Sequence, residues 1–111
     1  MDKKTFRKSF VCPFNVAMET LGGKWKFAII YTLLNNEKLR FKALERAIPD
    51  ISTRMLVKEL KDLTQKKIVK RTAYPTIPPK VEYNLTDLGK TLEPVIKSLS
   101  EWGMYYIEKT K

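Results

Sequence analysis

Histidine is absent from this sequence, and Cys12 is its only cysteine. Without histidine, His-based catalytic triads and His metal sites are excluded. A single cysteine cannot form an intramolecular disulfide, so a disulfide-stapled secreted scaffold is excluded too. The four glycines occur in neither a GxGxxG nor a GxxxxGK[ST] pattern, which excludes the common phosphate-binding loops. We therefore expect no enzyme, no metal site and no cofactor.

Long apolar runs are lacking as well. The longest, from Phe27 to Leu34, is interrupted by Thr32 and is too short to span a bilayer. The first residues lack the apolar core and the small-residue cleavage site of a signal peptide. These features, together with the single cysteine, predict a cytoplasmic protein with no membrane partner.

Positive charge is what the sequence has in excess. It carries 22 Lys and Arg against 12 Asp and Glu, a net charge of +10, which favours a polyanionic partner. The length is typical of one domain. Residues 1–11 hold four cations and one acid, and we interpret them as a basic N-terminal arm before a single domain of residues 12–111. Such an arm would contact phosphates, pack on a partner subunit, or simply be a solvated end.

A helix-turn-helix motif is predicted from Phe41 onwards. Pro49 interrupts the helical pattern, because proline cannot donate a hydrogen bond inside a helix. Ser52 then suits the N-cap of a second helix. The apolar stripe of that helix consists of Leu56, Leu60 and Leu63, and the opposite side carries Arg54, Lys58, Lys61 and Gln65. Glu59 and Asp62 are expected on one flank. Two helices across a tight turn are typical of a DNA-binding motif.

A β-hairpin is predicted after this motif. Residues 68–74 are rich in β-formers, residues 80–85 alternate polar and apolar, and the Pro-rich segment 75–79 joins them. Residues 52–82 hold eight cations and three acids, a net charge of 8 − 3 = +5. Concentrated Lys and Arg gain affinity for DNA by displacing counterions. The alternative is that these charges only solvate a helix face.

Helices are also predicted on both sides of this region. The first begins at Pro13 and ends at Gly22-Gly23, and a more buried second helix begins near Lys24. Leu39-Arg40 is interpreted as a short extra strand of the hairpin sheet. A last helix is predicted from an N-cap at Thr86, with Pro94 as a possible kink.

The last helix carries an apolar seam with heptad spacing. Its members step by 4, 3, 4, 3 and 4 residues and are Leu88, Leu92, Val95, Leu99, Trp102 and Tyr106. A heptad seam favours pairing with another helix, here in a second copy of the chain. The alternative is that the helix packs on its own domain. The expected dimer interface consists of Phe14, Met18, Leu92, Val95, Leu99, Trp102 and Tyr106.

The ordered set of motifs resembles the HxlR-type, MarR-like winged helix-turn-helix regulators of bacteria. The matching residues are Cys12-Pro13, Gly22-Gly23-Lys24-Trp25, Ile51-Ser52, Met55-Leu56, Leu60, Leu63, Pro78-Pro79, Val81-Glu82-Tyr83, Leu85-Thr86, Gly89 and Trp102-Gly103. The resemblance implies a winged-helix fold, a homodimer formed through the terminal helices and sequence-specific DNA binding.

The fold class expected is therefore α+β, mainly α, with the function of a homodimeric transcriptional regulator on an inverted-repeat operator. The start of the second motif helix should enter the major groove, where such residues meet base edges; the candidates are Ser52, Thr53, Arg54 and Lys58. The residues assigned to phosphate contacts are Lys61, Lys70, Arg71 and Lys80. Such contacts position the protein on DNA without reading the base sequence.

Cys12 is a candidate redox sensor. It precedes Pro13 at the start of the first helix, with Arg7 and Lys8 nearby in sequence, and both a helix N-terminus and cations stabilise a thiolate. The resemblance adds that some family members sense oxidants or electrophiles through a cysteine here. The alternative is that Cys12 is a small buried apolar residue.

Three further interpretations stay open at this point. The protein is a regulator that responds to a small molecule without a thiol switch, a basic RNA-binding protein, or a protein-interaction module. No aromatic platform accompanies the basic residues, which argues against single-stranded RNA.

Overall fold

Residues 12–111 are described by a computed structural model of the chain. The predicted basic arm, residues 1–11, lies outside the described residues. The elements follow in chain order as α1 (Pro13–Leu21), α2 (Lys26–Leu34), α3 (Phe41–Ala47), α4 (Thr53–Gln65), β1 (Val69–Tyr74), β2 (Lys80–Leu85), α5 (Asp87–Lys90) and α6 (Glu93–Lys109). The predicted mainly helical fold with a small β-hairpin, the wing, is confirmed.

The core lies where α2, α3, α4 and the base of the wing meet. The predicted α4 stripe of Leu56, Leu60 and Leu63 is buried. Ile29 and Ile30 of α2 and Leu44 of α3 are fully buried beside it. Each of these helices turns its apolar face inward, as the helical spacing of the apolar residues predicts.

The wing is a two-stranded antiparallel sheet. Its register pairs Val69 with Leu85, Arg71 with Tyr83 and Tyr74 with Lys80, and the loop between the strands contains a cis peptide bond at Ile77-Pro78. The short strand expected at Leu39-Arg40 is reduced to one bridge, in which Leu39 and Tyr83 exchange backbone hydrogen bonds of 2.9 and 2.8 Å.

Two glycines fit positions that other residues would strain. Gly23 follows α1 with a φ of +103°, a left-handed conformation that glycine adopts without steric cost. Gly89 packs α5 against the start of the wing, where an added Cβ would lie 2.3 Å from the carbonyl oxygen of Ile68.

Helix α2 begins at Lys26, two residues after the predicted start, with Trp25 as its N-cap.

The prediction of one continuous last helix is wrong. Thr86 is the predicted N-cap and accepts the N–H of Gly89, but the short helix α5 ends at Lys90 and α6 begins at Glu93. Pro94 has no N–H to donate to Lys90, which breaks the helical hydrogen-bond ladder here rather than kinking it. Leu88 therefore lies on α5, outside the seam that α6 carries.

Candidate nucleic-acid interface

The first turn of α4 is fixed by hydrogen bonds of its own residues. Ser52 is the N-cap, and its hydroxyl accepts the backbone N–H of Met55 at 3.0 Å. The Thr53 hydroxyl donates to the carboxylate of Glu45 on α3, which ties the two motif helices together. Asp50 turns the chain between them with a φ of 68°, in the left-handed region that Asp tolerates. The orientation of the second motif helix is therefore set at its start.

The outward arc of α4 carries the predicted cations. Arg54, Lys58 and Lys61 are exposed on the side away from the buried leucines. Within residues 12–111 none of the three forms a salt bridge with a carboxylate. Their charges are therefore available to an external anion.

The inner edge of α4 is held by a buried ion-pair network that the sequence did not reveal. Lys26 of α2 contacts Glu59 at 3.0 Å and Asp62 at 3.1 Å, and the Lys26 and Glu59 side chains are only 11% and 8% exposed. Glu59 and Asp62 lie together on one flank, as expected, but Glu59 is buried there. Its position three residues after Leu56 and four before Leu63, on the buried stripe, was the available signal.

Lys66 extends this network to α1. Its ammonium group contacts Asp62 at 2.9 Å and donates to the backbone carbonyls of Glu19 at 3.0 Å and Thr20 at 3.2 Å. These carbonyls lie at the C-terminal end of α1, where a cation is favoured by the helix dipole. The end of α4 is thus joined to α1 through one side chain.

The contacts within this network stabilise the charged forms of Lys26 and Asp62. Burial lowers the pKa of Lys26, but the hydrogen bonds and charges of Glu59 and Asp62 outweigh it and leave the pKa raised. The pKa of Asp62 is lowered, first by its hydrogen bond to Lys66 and then by Lys26. Both groups are ionised near neutral pH, so the network holds α4 in place there.

The wing separates its cations onto two faces. Arg71 and its register partner Tyr83 share a face with the buried Val69 and Leu85, because alternate strand residues point the same way. Arg71 therefore faces α4, whereas the neighbouring Lys70 lies on the opposite face. The structure therefore places Lys70 and Arg71 on different faces of the wing.

Lys80 is engaged within the wing. Its ammonium group lies 4.8 Å from the centre of the Tyr74 ring and 3.6 Å from the Glu82 carboxylate, which Lys38 also contacts at 3.6 Å. The pKa of Glu82 is lowered, first by a hydrogen bond from Tyr74 and then by these two cations. Part of the Lys80 charge is thus balanced by Glu82, and Lys70 is the freer cation on this face.

Cys12 is exposed and occupies the N-cap of α1, where its carbonyl accepts the Val16 N–H at 3.0 Å. Within a single chain Cys12 is therefore not buried. Phe14 and Met18 are also exposed on α1. Along the chain from Cys12 onwards, no cluster of His, Cys, Asp and Glu is suited to a metal ion.

The apolar seam of α6 is exposed, with the exception of its first member. Leu92 is half-buried against the core, so it contributes less to an outer surface than predicted. The exposed members are Val95, Leu99, Trp102 and Tyr106. The Trp102 and Tyr106 rings stack with their centres 5.3 Å apart. Only the neighbouring Ile96, 7% exposed, is buried against the domain.

No helix in the described range is both long and apolar enough to cross a membrane.

A helix-turn-helix with a basic outward arc, followed by a β-hairpin wing, defines a winged-helix protein of the DNA-binding type. The family model described as HxlR-like helix-turn-helix matches residues 20–111. The chain belongs to this family, and it is a transcriptional regulator of the helix-turn-helix type rather than an enzyme.

Individual relatives agree with this assignment. The chain is 44% identical over 102 residues to YkvN of Bacillus subtilis (strain 168), an uncharacterised HTH-type transcriptional regulator, covering 92% of this chain and 86% of YkvN. The solved structure of the redox regulator HypR in its oxidised form is similar, with a TM-score of 0.79 and 41% identity over 85% of this chain and 96% of HypR. The reduced form of the transcriptional regulator YodB from B. subtilis has a TM-score of 0.78 and 36% identity, over 92% of this chain and 100% of YodB.

Proposed function

We propose that this regulator binds a specific DNA operator through α4. The observation that carries the proposal is the exposed arc of Arg54, Lys58 and Lys61, which form no ion pair within residues 12–111 and lie opposite a fully packed face. A long-armed cation near the start of a recognition helix is suited to the guanine edge in the major groove. Arg54 is the candidate for that base contact, with Ser52, Thr53 and Lys58 beside it.

The remaining cations would contact phosphates, and they differ in how much of their charge is already balanced within the protein. Lys61 and Lys70 are exposed and free of carboxylate partners within the described range, whereas Lys80 shares its charge with Glu82. Arg71 would reach phosphate from the side of the wing that faces α4. Ile77 at the tip of the wing is 100% exposed, and an apolar residue there suits the minor groove beside the site.

Fluorescence anisotropy with operator and random duplexes over a salt series tests this assignment. We expect Arg54→Ala to cost about 1–3 kcal/mol on the operator and to relax preference at one base pair. Lys70→Ala should weaken both duplexes alike and lower the salt slope by about 0.9. An unchanged ratio of specific to random affinity in Arg54→Ala would contradict the placement of α4.

We further propose a homodimer in which α1 and α6 supply the interface. The Cα radius of gyration is 16.2 Å, larger than the about 13 Å of a compact domain of this length. Phe14, Met18, Leu99 and Trp102 expose large apolar side chains on these two helices. Such surface on a small protein marks an association site. A two-fold dimer would read an inverted repeat with half-sites about 10 bp, or a multiple of that, apart.

Analytical ultracentrifugation tests the dimer. Leu99→Asp places a charge on the apolar seam of α6 and should yield monomers that bind the inverted repeat no better than a single half-site. Lys97→Asp, an exposed charge change on the same helix, is the control and should stay dimeric. A wild-type protein that sediments only as a monomer at micromolar concentration would contradict the proposed homodimer.

A second candidate function, regulation by oxidation, is favoured by the exposure of Cys12 and by the similarity to the redox regulator HypR. Because the chain has one cysteine, a disulfide would join two subunits or a small thiol such as glutathione. We expect diamide to change operator affinity in wild type and not in Cys12→Ser, with the disulfide product seen by non-reducing mass spectrometry. Equal affinities in all four samples would leave Cys12 without this role.

A further inference from the structure

Glu82 is an unexpected residue in a wing that carries cations for DNA. It is the only acid among residues 69–85, a segment that also contains Lys70, Arg71 and Lys80. The strand register places Glu82 on the same face of the hairpin as Lys70 and Lys80. A carboxylate on that face repels phosphate. Its contribution to the regulator therefore has to come from its contacts within the protein.

The Glu82 side chain, which is only 13% exposed, pairs with two lysines from different parts of the chain. Its Oε2 lies 3.6 Å from the ammonium group of Lys80 on the same strand, and its Oε1 lies 3.6 Å from that of Lys38, in the loop before α3. This loop is fixed to the wing, because Leu39 and Tyr83 exchange backbone hydrogen bonds. Both ion pairs are thus built into the junction between the wing and the helices.

The surroundings of the Glu82 carboxylate strengthen its attraction for these cations. Its Oε1 is buried and accepts no hydrogen bond from the part of the chain that the structure describes, so water screens its attraction for Lys38 only weakly. Tyr74 donates a hydrogen bond to the carboxylate, and the centre of its ring lies 4.8 Å from the Lys80 ammonium group. Lys80 is thus held by a charge and by an aromatic face, whereas Lys70 has no carboxylate partner from Cys12 onwards.

We propose that Glu82 limits the affinity of the wing for DNA of any sequence, because it holds Lys80 and Lys38 in ion pairs that compete with phosphate. This role rests on the proposed function, in which the wing lies against the DNA. Phosphate contacts raise the affinity for all sequences alike, and a regulator that has to find one operator among many other sites benefits when such contacts are few. Glu82 is a positioning residue here, since it acts on DNA binding only through the two lysines.

Removal of the charge tests this role in a direction that loss of structure would not imitate. Glu82→Gln keeps the shape of the side chain and should bind operator and random duplexes more tightly than wild type, with a salt slope steeper by about 0.9 for each lysine released. Between about 50 and 200 mM salt, its advantage over wild type should shrink about threefold for each such lysine. Glu101→Gln removes the same charge from an exposed position on α6 and should not steepen the slope. A random-duplex affinity of Glu82→Gln equal to or below that of wild type would overturn the proposal.

A matched pair of lysines tests the same role with Glu82 in place, so the result does not depend on how well Glu82→Gln folds. Lys70→Gln should lower the salt slope by about 0.9, because Lys70 is free to contact phosphate. Lys80→Gln lies on the same wing face and should lower the slope by less, because Lys80 is already paired. In the Glu82→Gln background the two decreases should become equal. Equal decreases with Glu82 present would show that it does not restrain Lys80 and would overturn the proposal.

The ion pairs are tested without DNA, by acetylation of the full-length protein with limiting acetic anhydride and mass spectrometry of each lysine. Glu82→Gln should raise the rates at Lys80 and Lys38, because a carboxylate no longer holds their amino groups, and should leave the rate at Lys70 unchanged. Equal rates in the two proteins would overturn the ion pairs. Faster acetylation without a gain in DNA affinity would retain the ion pairs and overturn the restraint. A wild-type protein that binds neither duplex would instead contradict the proposed function, and that result differs from both.

Discussion

The two longest helices, α4 with 13 residues and α6 with 17, have similar apolar spacing and opposite environments. On α4, Leu56 and Leu63 are fully buried. On α6, Leu99 and Trp102 are 49% and 61% exposed. One stripe is covered by the chain's own α2 and α3, while the other faces outward along most of its length.

Competition for one small core explains this difference. A domain of this size buries a limited amount of apolar surface, and α2, α3, α4 and the base of the wing already occupy it. Helix α6 reaches that core only near its start, through its N-cap Leu92 and through Ile96. No part of the chain within residues 12–111 covers the remaining stripe, which is the basis for proposing a second copy of the chain there.

The largest loss of stability is expected when a cavity is made under α4, and comparing it with the same change on α6 tests the difference between the two helices. Leu56→Ala should lower the free energy of unfolding by about 2–5 kcal/mol at every protein concentration, because the side chain is fully buried. Leu99→Ala removes the same atoms from α6, and its cost should depend on protein concentration, since it weakens association. Urea unfolding at two concentrations measures both. Similar, concentration-independent losses would show that α6 is packed within one subunit.

A smaller effect is expected when the network behind α4 is broken. Lys26→Met should cost about 3 kcal/mol of stability, because it leaves Glu59 buried without its partner. The double change Lys26→Met with Glu59→Met should recover part of that loss, since no unpaired charge remains. Lys97→Met, on the exposed side of α6, is the control and should cost less than about 0.5 kcal/mol. If the double variant loses as much stability as the two single variants Lys26→Met and Glu59→Met lose together, the two charges are not coupled.

The smallest expected effect is the pH dependence of the same network. The pKa of Asp62 is lowered from its ordinary value of 3.8, so its contribution is present above that pH and is lost as the pH falls below it. The pKa of Lys26 is raised from 10.5, so its contribution is present below that pH and is lost as the pH rises above it. Asp62 is partly solvated, and its share should be under about 1 kcal/mol.

Urea midpoints of wild type and Asp62→Asn between acid and neutral pH measure this contribution. The difference between the two proteins should be largest near neutral pH and should shrink as the pH falls below 3.8. A difference that stays constant across this range would mean that Asp62 acts by shape or hydrogen bonding and not by charge. Near pH 10.5 and above, the same comparison with Lys26→Met should converge.

Local signals were sufficient to predict most elements from the sequence. Pro49 and Ser52 mark the turn and the cap of the motif, and both fall where they were expected. The wing follows from the alternation in residues 80–85. The family assignment, expected from an ordered set of short motifs, is confirmed by the match over residues 20–111. Each of these signals depends on neighbours within a few residues.

The parts that could not be predicted depend on residues far apart in sequence. Lys26 and Glu59 are 33 residues apart in the sequence, and no local sequence pattern predicts their contact. The break before α6 was misjudged because a proline near the start of a helix is compatible with a kink as well as with a new helix start, and α6 begins at Glu93 with Pro94 in its first turn.

The sequence by itself determined the class of protein: its charge, its missing histidines and its cap, turn and stripe residues act locally and leave few alternatives. Only the tertiary structure decided which cations are free. The strand register turns Arg71 toward α4 and Lys70 away, and the wing engages Lys80 with Glu82. The physical reason is that a side chain's direction depends on packing between elements, whereas an element's type depends mainly on its own residues.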